Sequence, residues 1–158
     1  MTSTAIDGPV LFCYDGSEGS RAALSVAVEL VMHPADAVVL AVWTPMAVQL
    51  ARGGSLLAAI PNEGQLDEEE IAAAQRIADE GAAGARGRGY NASARVAQAN
   101  ESVAKTIGEV AREIDARLIV CGQRGRGAFA SAVLGRVSHQ LSAHAERPVL
   151  IAPQHPAA

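Results

Sequence analysis

Apolar residues fall along this chain in short unbroken runs, separated by stretches of helical period. Val10 to Tyr14, Ala37 to Trp43 and Leu118 to Cys121 are continuous apolar runs. Successive side chains of a strand point to opposite faces, so such runs predict strands covered on both sides, as in parallel sheets. Ala92 to Ala99 alternates in part, and Val149 to Ala152 is a shorter run after Arg147-Pro148. Between these runs the period changes. Leu24, Val28 and Val31 share one helical face, as do Ile71, Ala74, Ile77 and Ala78 within a helix predicted over Asp67 to Arg86. Val103, Ile107, Val110 and Ile114 give the clearest helical stripe, and Val137 to Ala145 the last.

Local signals set the expected boundaries. Asp15 or Ser17 caps the first helix, and His33-Pro34 ends it, because a residue before proline avoids the helical region. Asn100 is placed to cap the helix of Val103. The acids at 67 to 70 suit a helix N-terminus and a solvated face. Gly81 and Gly84 each cost about 1 kcal/mol against alanine, which predicts fraying of the last turns before Gly89. Residues 44–66 break the pattern with Pro45, Gly53, Gly54, Pro61 and Gly64, and carry an apolar cluster from Leu56 to Ile60. This reads as a mobile loop with part of a helix, with a lid or a dimer contact as the alternatives. Five strands alternating with four helices predict a single α/β domain over residues 1–158. It would be a doubly wound parallel sheet with right-handed crossovers and helices on both faces.

Composition narrows the functional classes. The chain has 158 residues, 49% of them hydrophobic, enough for one domain with a substantial core. A net charge of −4 with no basic block argues against nucleic acid as partner. The first residues lack the charged and apolar regions of a signal peptide, and no apolar run approaches the roughly 20 residues that span a bilayer. Two cysteines make no disulfide framework. The expectation is a soluble cytoplasmic protein away from membranes.

The richest chemistry lies between the fourth strand and the last helix. Gly122, Gly125, Gly127 and Gly135 punctuate this segment, and Arg124, Arg126 and Arg136 give it positive charge. A strand, a glycine-rich loop and a helix N-terminus bring backbone N–H groups and a partial positive charge to one place, which suits an anion. Gly125-Arg-Gly127-Ala-Phe-Ala130 also matches the dinucleotide fingerprint, but that motif needs an acid about 20 residues on, after the next strand. No acid follows Val149 to Ala152. No Walker A pattern occurs.

Gly122-x-x-Gly125, nine residues and then Gly135 resembles the nucleotide loop of the universal stress protein family, and Asp15-Gly16-Ser17 after the first strand is similar to what that family shows there. The likeness covers nearly the whole chain. It implies strand order 3-2-1-4-5, with a ligand crevice beyond the first and fourth strands, where Asp15 and Gly122 both fall. It implies binding of ATP, AMP or another adenine nucleotide as a stress-response or signalling module, with Mg²⁺ accompanying a triphosphate. Asp15 and Val42 would border the adenosine. Gly122, Gly125, Gly127, Gly135, Val137 and Ser138 would form the phosphate loop, and Arg124, Arg126 and Arg136 would neutralise charge. The family places Ser or Thr after the last glycine, where this chain has Arg136. Its guanidinium either replaces that hydroxyl with a charge-assisted bond or crowds the pocket.

Other readings stand beside this one. Asp15 has no visible catalytic partner, and Asp115 falls at the far end of its strand, so hydrolysis would at most be slow. The alternatives are a partner-binding stress protein without nucleotide and a slow adenine nucleotide hydrolase. Histidines 33, 139, 144 and 155 show no metal spacing. His139 is the one near enough to the loop to touch phosphate. Cys13 and Cys121 fall near the ends of strands expected to be neighbours, mainly as small buried apolar residues and secondarily as a redox pair. The fifth strand would be an edge, and the resemblance implies a homodimer through residues 149–152.

Overall fold

A computed structural model describes residues 7–31, 35–53, 62–126 and 134–154. The strands are β1 (Val10–Cys13), β2 (Asp36–Trp43), β3 (Asn91–Gln98), β4 (Leu118–Gly122) and β5 (Val149–Ala152). All pair in parallel, in the order β3-β2-β1-β4-β5. The expected doubly wound α/β sheet is therefore borne out, and each strand lies within two residues of its sequence boundaries. The helices are α1 (Glu18–Leu30), α2 (Met46–Arg52), α3 (Glu63–Arg86), α4 (Val103–Glu113) and α5 (Arg136–His144).

The unbroken apolar runs are explained by cover on both faces. Val10 and Phe12 of β1 point toward α1 and α3, packing with Leu24, Ala82 and Tyr90. Leu11 faces the other layer, with Ile107 of α4, Ile119 and Leu141 of α5. The Phe12 and Tyr90 rings meet edge-on with centroids 5.2 Å apart. Burying a side chain of this size contributes about 1.5–3 kcal/mol, and β1 at the centre of the sheet places such side chains in both layers.

Several boundaries differ from expectation. Ser102 caps α4 rather than Asn100: its hydroxyl accepts from Lys105 N at 3.1 Å, whereas the Asn100 side chain accepts from Gln98. The helix begins at Val103, so a cap must sit one residue before it. Residues 44–66, expected as a loop with part of a helix, include helix α2, so the described residues form five helices where four were counted. Asp67 does not open α3, which starts at Glu63. Instead its Oδ1 accepts from Met46 N at 2.9 Å, at the N-terminus of α2. The Leu56–Ile60 cluster and His33-Pro34 lie outside the described residues.

Helix α3 also does not fray at its glycines. It runs on to Arg86, and Gly81 is buried where a Cβ would stand 2.7 Å from Val39 and 2.8 Å from the Tyr14 ring. The glycine is a packing requirement, which lets α3 settle onto the sheet through Ala74, Ala78, Ala82 and Ala85. Ile71, assigned to that stripe from its spacing, is exposed instead.

Candidate functional site

The chain turns β1 to β2 to β3 in one direction and β4 to β5 in the other, so strand order reverses between β1 and β4. Loops leaving the carboxyl ends of two such strands diverge to opposite sides and leave a crevice. A cavity of about 470 Å³ lies there. Asp15, Val42, Gly122, Arg124, Gly125 and Arg126 line it, as do Gly135, Arg136, Val137 and Ser138. Ten of the eleven residues singled out from sequence thus share one cavity. The eleventh, Gly127, lies outside the described residues.

The cavity's floor is shaped by close backbone approach. A Cβ on Gly122 would lie 2.6 Å from the main chain of Gly19, so the end of β4 and the first turn of α1 touch directly. Asp15 then joins the two sides. Its Oδ1 accepts from Ser17 N at 3.0 Å, closing a turn through Gly16, whose φ is +74°. Its Oδ2 accepts from Arg126 N at 2.9 Å. Ser17 itself caps α1, its hydroxyl accepting from Ser20 N at 3.2 Å. The two cap candidates therefore divide the work. Burial pushes the Asp15 pKa up, but hydrogen bonds from Ser17, Arg126 and Ser20 outweigh it and hold the carboxyl below its ordinary value.

The far end of the loop is tied to the sheet. Gln123 N donates to Ala152 O of β5 at 2.7 Å, and Gln123 O accepts from Gly135 N at 2.8 Å. The Ser138 hydroxyl, 3% exposed, reaches Gln123 O at 2.8 Å and Gly135 O at 3.0 Å. It has one proton to give, so in this geometry it fastens the loop. Gly135 is the N-cap of α5 and offers no side-chain bond, which leaves first-turn N–H groups for an outside acceptor. Arg124 Nε is buried with no hydrogen-bond partner among the described residues. None of Arg124, Arg126 and Arg136 forms an ion pair among those residues.

The rest of the wall was not legible in the motifs. Leu40, Ala41 and Trp43 from β2, Ile77 from α3, and Val103 and Ile107 from α4 give the cavity an apolar half. Trp43, the chain's single tryptophan at a strand's carboxyl end, was the available signal. Tyr14 closes one side: its hydroxyl donates to Glu80 Oε1 at 2.7 Å, and Arg21 bonds the same oxygen at 2.9 Å. Burial, with the Glu80 bond adding to it, pushes the Tyr14 pKa to about 12.

Cys13 and Cys121 both line the cavity, next in register after the Phe12–Val120 pair, and both thiols are free. Burial raises both pKa values, Cys121 to about 11. His139 does not line the cavity, His144 lines a separate hollow between α4 and α5, and His33 and His155 lie outside the described residues. Asp115 is at the far end of β4, paired with Arg147 at 2.8 Å. Among the described residues no group of three or more His, Cys, Asp or Glu could hold a metal ion, and no helix is long and apolar enough to cross a membrane.

Comparison with known proteins agrees with this architecture. Universal stress protein Rv1996 of Mycobacterium tuberculosis is 39% identical over 54 residues, which are 34% of this chain and 16% of that protein. The universal stress protein from Archaeoglobus fulgidus in complex with dAMP is 19% identical with a TM-score of 0.66, covering 93% of this chain and 98% of that one. A universal stress protein in complex with cAMP is 21% identical with a TM-score of 0.59, covering 94% and 98%. At these identities the two structures show the fold. The family model described as "Universal stress protein family" matches residues 8–153, and by that match, over a fold and a crevice of this form, the chain belongs to the universal stress protein family.

Proposed function

We propose that this protein binds an adenine nucleotide in the β1–β4 crevice and serves as a stress-response module by holding it. The observation that carries this reading is the joining of Asp15 to Arg126 N beside an uncapped helix N-terminus, in a cavity of about 470 Å³ with an apolar wall. Val42, with Leu40 and Ile107 near it, would border the adenine, and Asp15 the adenosine. Backbone N–H groups at Gly122, Gly125, Gly127, Val137 and Ser138 would meet phosphate, Gly135 would hold the loop's end through its own N–H on Gln123 O, and Arg124, Arg126 and Arg136 would neutralise charge. The complexes of two relatives with dAMP and cAMP support the ligand class.

Mg²⁺ finds no dedicated place among the described residues. Asp15, the acid at the loop, already accepts two N–H groups, and Glu70, the other acid on the cavity wall, comes from α3 on the β2–β3 side. A fast hydrolase would need a positioned base and a metal-holding acid, so we assign binding without rapid turnover. We further propose a cytoplasmic homodimer joined through β5, which pairs with β4 alone among the described residues.

Calorimetry of purified protein with ATP tests the central reading. Saturable heat and a rise in Tm are expected, since a ligand at 100 times its Kd adds about 2.7 kcal/mol of apparent stability. No heat and no thermal shift at millimolar nucleotide would instead favour a stress protein acting through partners alone. Product formation well above background would favour a hydrolase. Sedimentation equilibrium checks the dimer, and a monomer at all concentrations would exclude it.

A further inference from the structure

Arg136 occupies a place that electrostatics disfavours. It is the first residue of α5, where the helix dipole is positive, and no acid follows it in that turn. It is exposed and has no ion pair among the described residues, yet it lines the same cavity as Arg124 and Arg126. Arg124 meanwhile holds a buried Nε–H without an acceptor among those residues. Three arginines and a helix N-terminus therefore line one cavity, whose wall carries the acids Asp15 and Glu70. Together Arg124, Arg126 and Arg136 carry more positive charge than the roughly two negative charges of a single phosphate group. A chain of phosphates supplies more charge and more oxygens for the planar guanidinium forks to pair with.

We infer that the phosphate end of this site is matched to a polyphosphate whose charge is neutralised by Arg124, Arg126 and Arg136 instead of a bound divalent ion. Affinity then climbs with phosphate number, from AMP through ADP to ATP, and needs no Mg²⁺. Complexing ATP with Mg²⁺ removes charge that the arginines would otherwise meet, so the metal gives no gain. This rests on the adenine nucleotide reading above and ranks the ligands within it.

The test is calorimetry in EDTA with adenosine, AMP, ADP, ATP and inorganic tripolyphosphate, repeated with excess Mg²⁺ and with Arg136→Ser. We expect ATP to bind at least about tenfold more tightly than AMP, equivalent to 1.4 kcal/mol or more. Mg²⁺ should leave ATP affinity equal or lower. Arg136→Ser should shrink the ATP-to-AMP ratio and flatten the salt dependence of ATP binding, while circular dichroism shows an unchanged fold. Equal affinity for AMP and ATP, an absolute need for Mg²⁺, or an ATP-to-AMP ratio untouched in the variant would each overturn the inference. If AMP binds and ATP binds no better, the adenine reading stands and this one falls. If tripolyphosphate binds and no adenine compound does, the arginine cluster stands and the adenine reading falls.

Discussion

Asp15 and Arg126 are 111 positions apart in sequence, and the Arg126 main-chain N–H donates to Asp15 Oδ2 at 2.9 Å. That bond connects the end of β1 with the loop after β4 across the switch point. It also explains Gly125: a Cβ there would sit 2.6 Å from the same Asp15 oxygen. One carboxylate thus sets the loop's height above the sheet.

Asp15→Asn tests that connection. An amide can accept at one end only, so either Ser17 N or Arg126 N must face an NH₂ group. ATP affinity should fall by about tenfold, the loss of roughly one charge-assisted hydrogen bond. Because the folded-state pKa of Asp15 is depressed, its contribution to stability is present above the unfolded value of about 3.9 and is lost as pH falls through the folded one. Wild type should therefore lose its stability advantage over Asp15→Asn below about pH 4. Urea unfolding across pH measures this, and a constant difference down to strongly acidic pH would exclude the assignment.

Gly125→Asp should abolish nucleotide binding while the fold survives, since it sets a second carboxylate against Asp15 where phosphate would rest. Calorimetry and circular dichroism read the two halves separately. Unchanged affinity would refute the loop's role.

Gly81 and Gly108 should respond oppositely to alanine. At Gly81 a Cβ meets Val39 and Tyr14 well inside contact distance, so Gly81→Ala should destabilise by about 1–3 kcal/mol despite alanine's better helix propensity. Nothing lies within 4 Å of a Cβ at Gly108, inside α4, so Gly108→Ala should stabilise by about 0.5–1 kcal/mol. Denaturant midpoints compare them directly, and shifts of the same sign would contradict the packing described.

Tyr14 and the two thiols give signals in alkaline solution. Tyrosinate absorbance should show one residue titrating near pH 12. A tyrosine with a raised folded-state pKa adds stability below its unfolded value of about 10 and loses that contribution as pH rises through the folded one. Tyr14→Phe should therefore narrow the stability difference above about pH 10. Cys13 and Cys121, kept protonated by burial, should react with a disulfide reagent at neutral pH far more slowly than free cysteine and become fast on unfolding. Rapid labelling of the native protein would contradict their burial.

Where sequence reading failed, the cause was nonlocal. Helix α2 buries no residue, so it leaves no apolar stripe to detect, and its N-terminus is satisfied by Asp67, 21 positions away. Gly81 looked like a weak point because propensity counts only the helix's own backbone, while the decisive neighbours belong to β1's end and β2. Ser138 was noticed for its hydroxyl, but only the fold shows that hydroxyl fastened to Gln123 and Gly135 carbonyls.

The amino-acid order alone determined the layers. Unbroken apolar runs demand cover on both faces, helical stripes supply it, and glycines with arginines mark where an anion would fit. Those are local properties, written in the period of side chains along one segment. Tertiary structure decided which atoms meet. The Asp15 carboxylate finds the Arg126 N–H, and Trp43, Ile77 and Ile107 become walls of one cavity, because parallel pairing brings strand ends together that the chain keeps far apart. Periodicity carries no record of that distance, since it specifies which face a residue occupies but not which partner waits there.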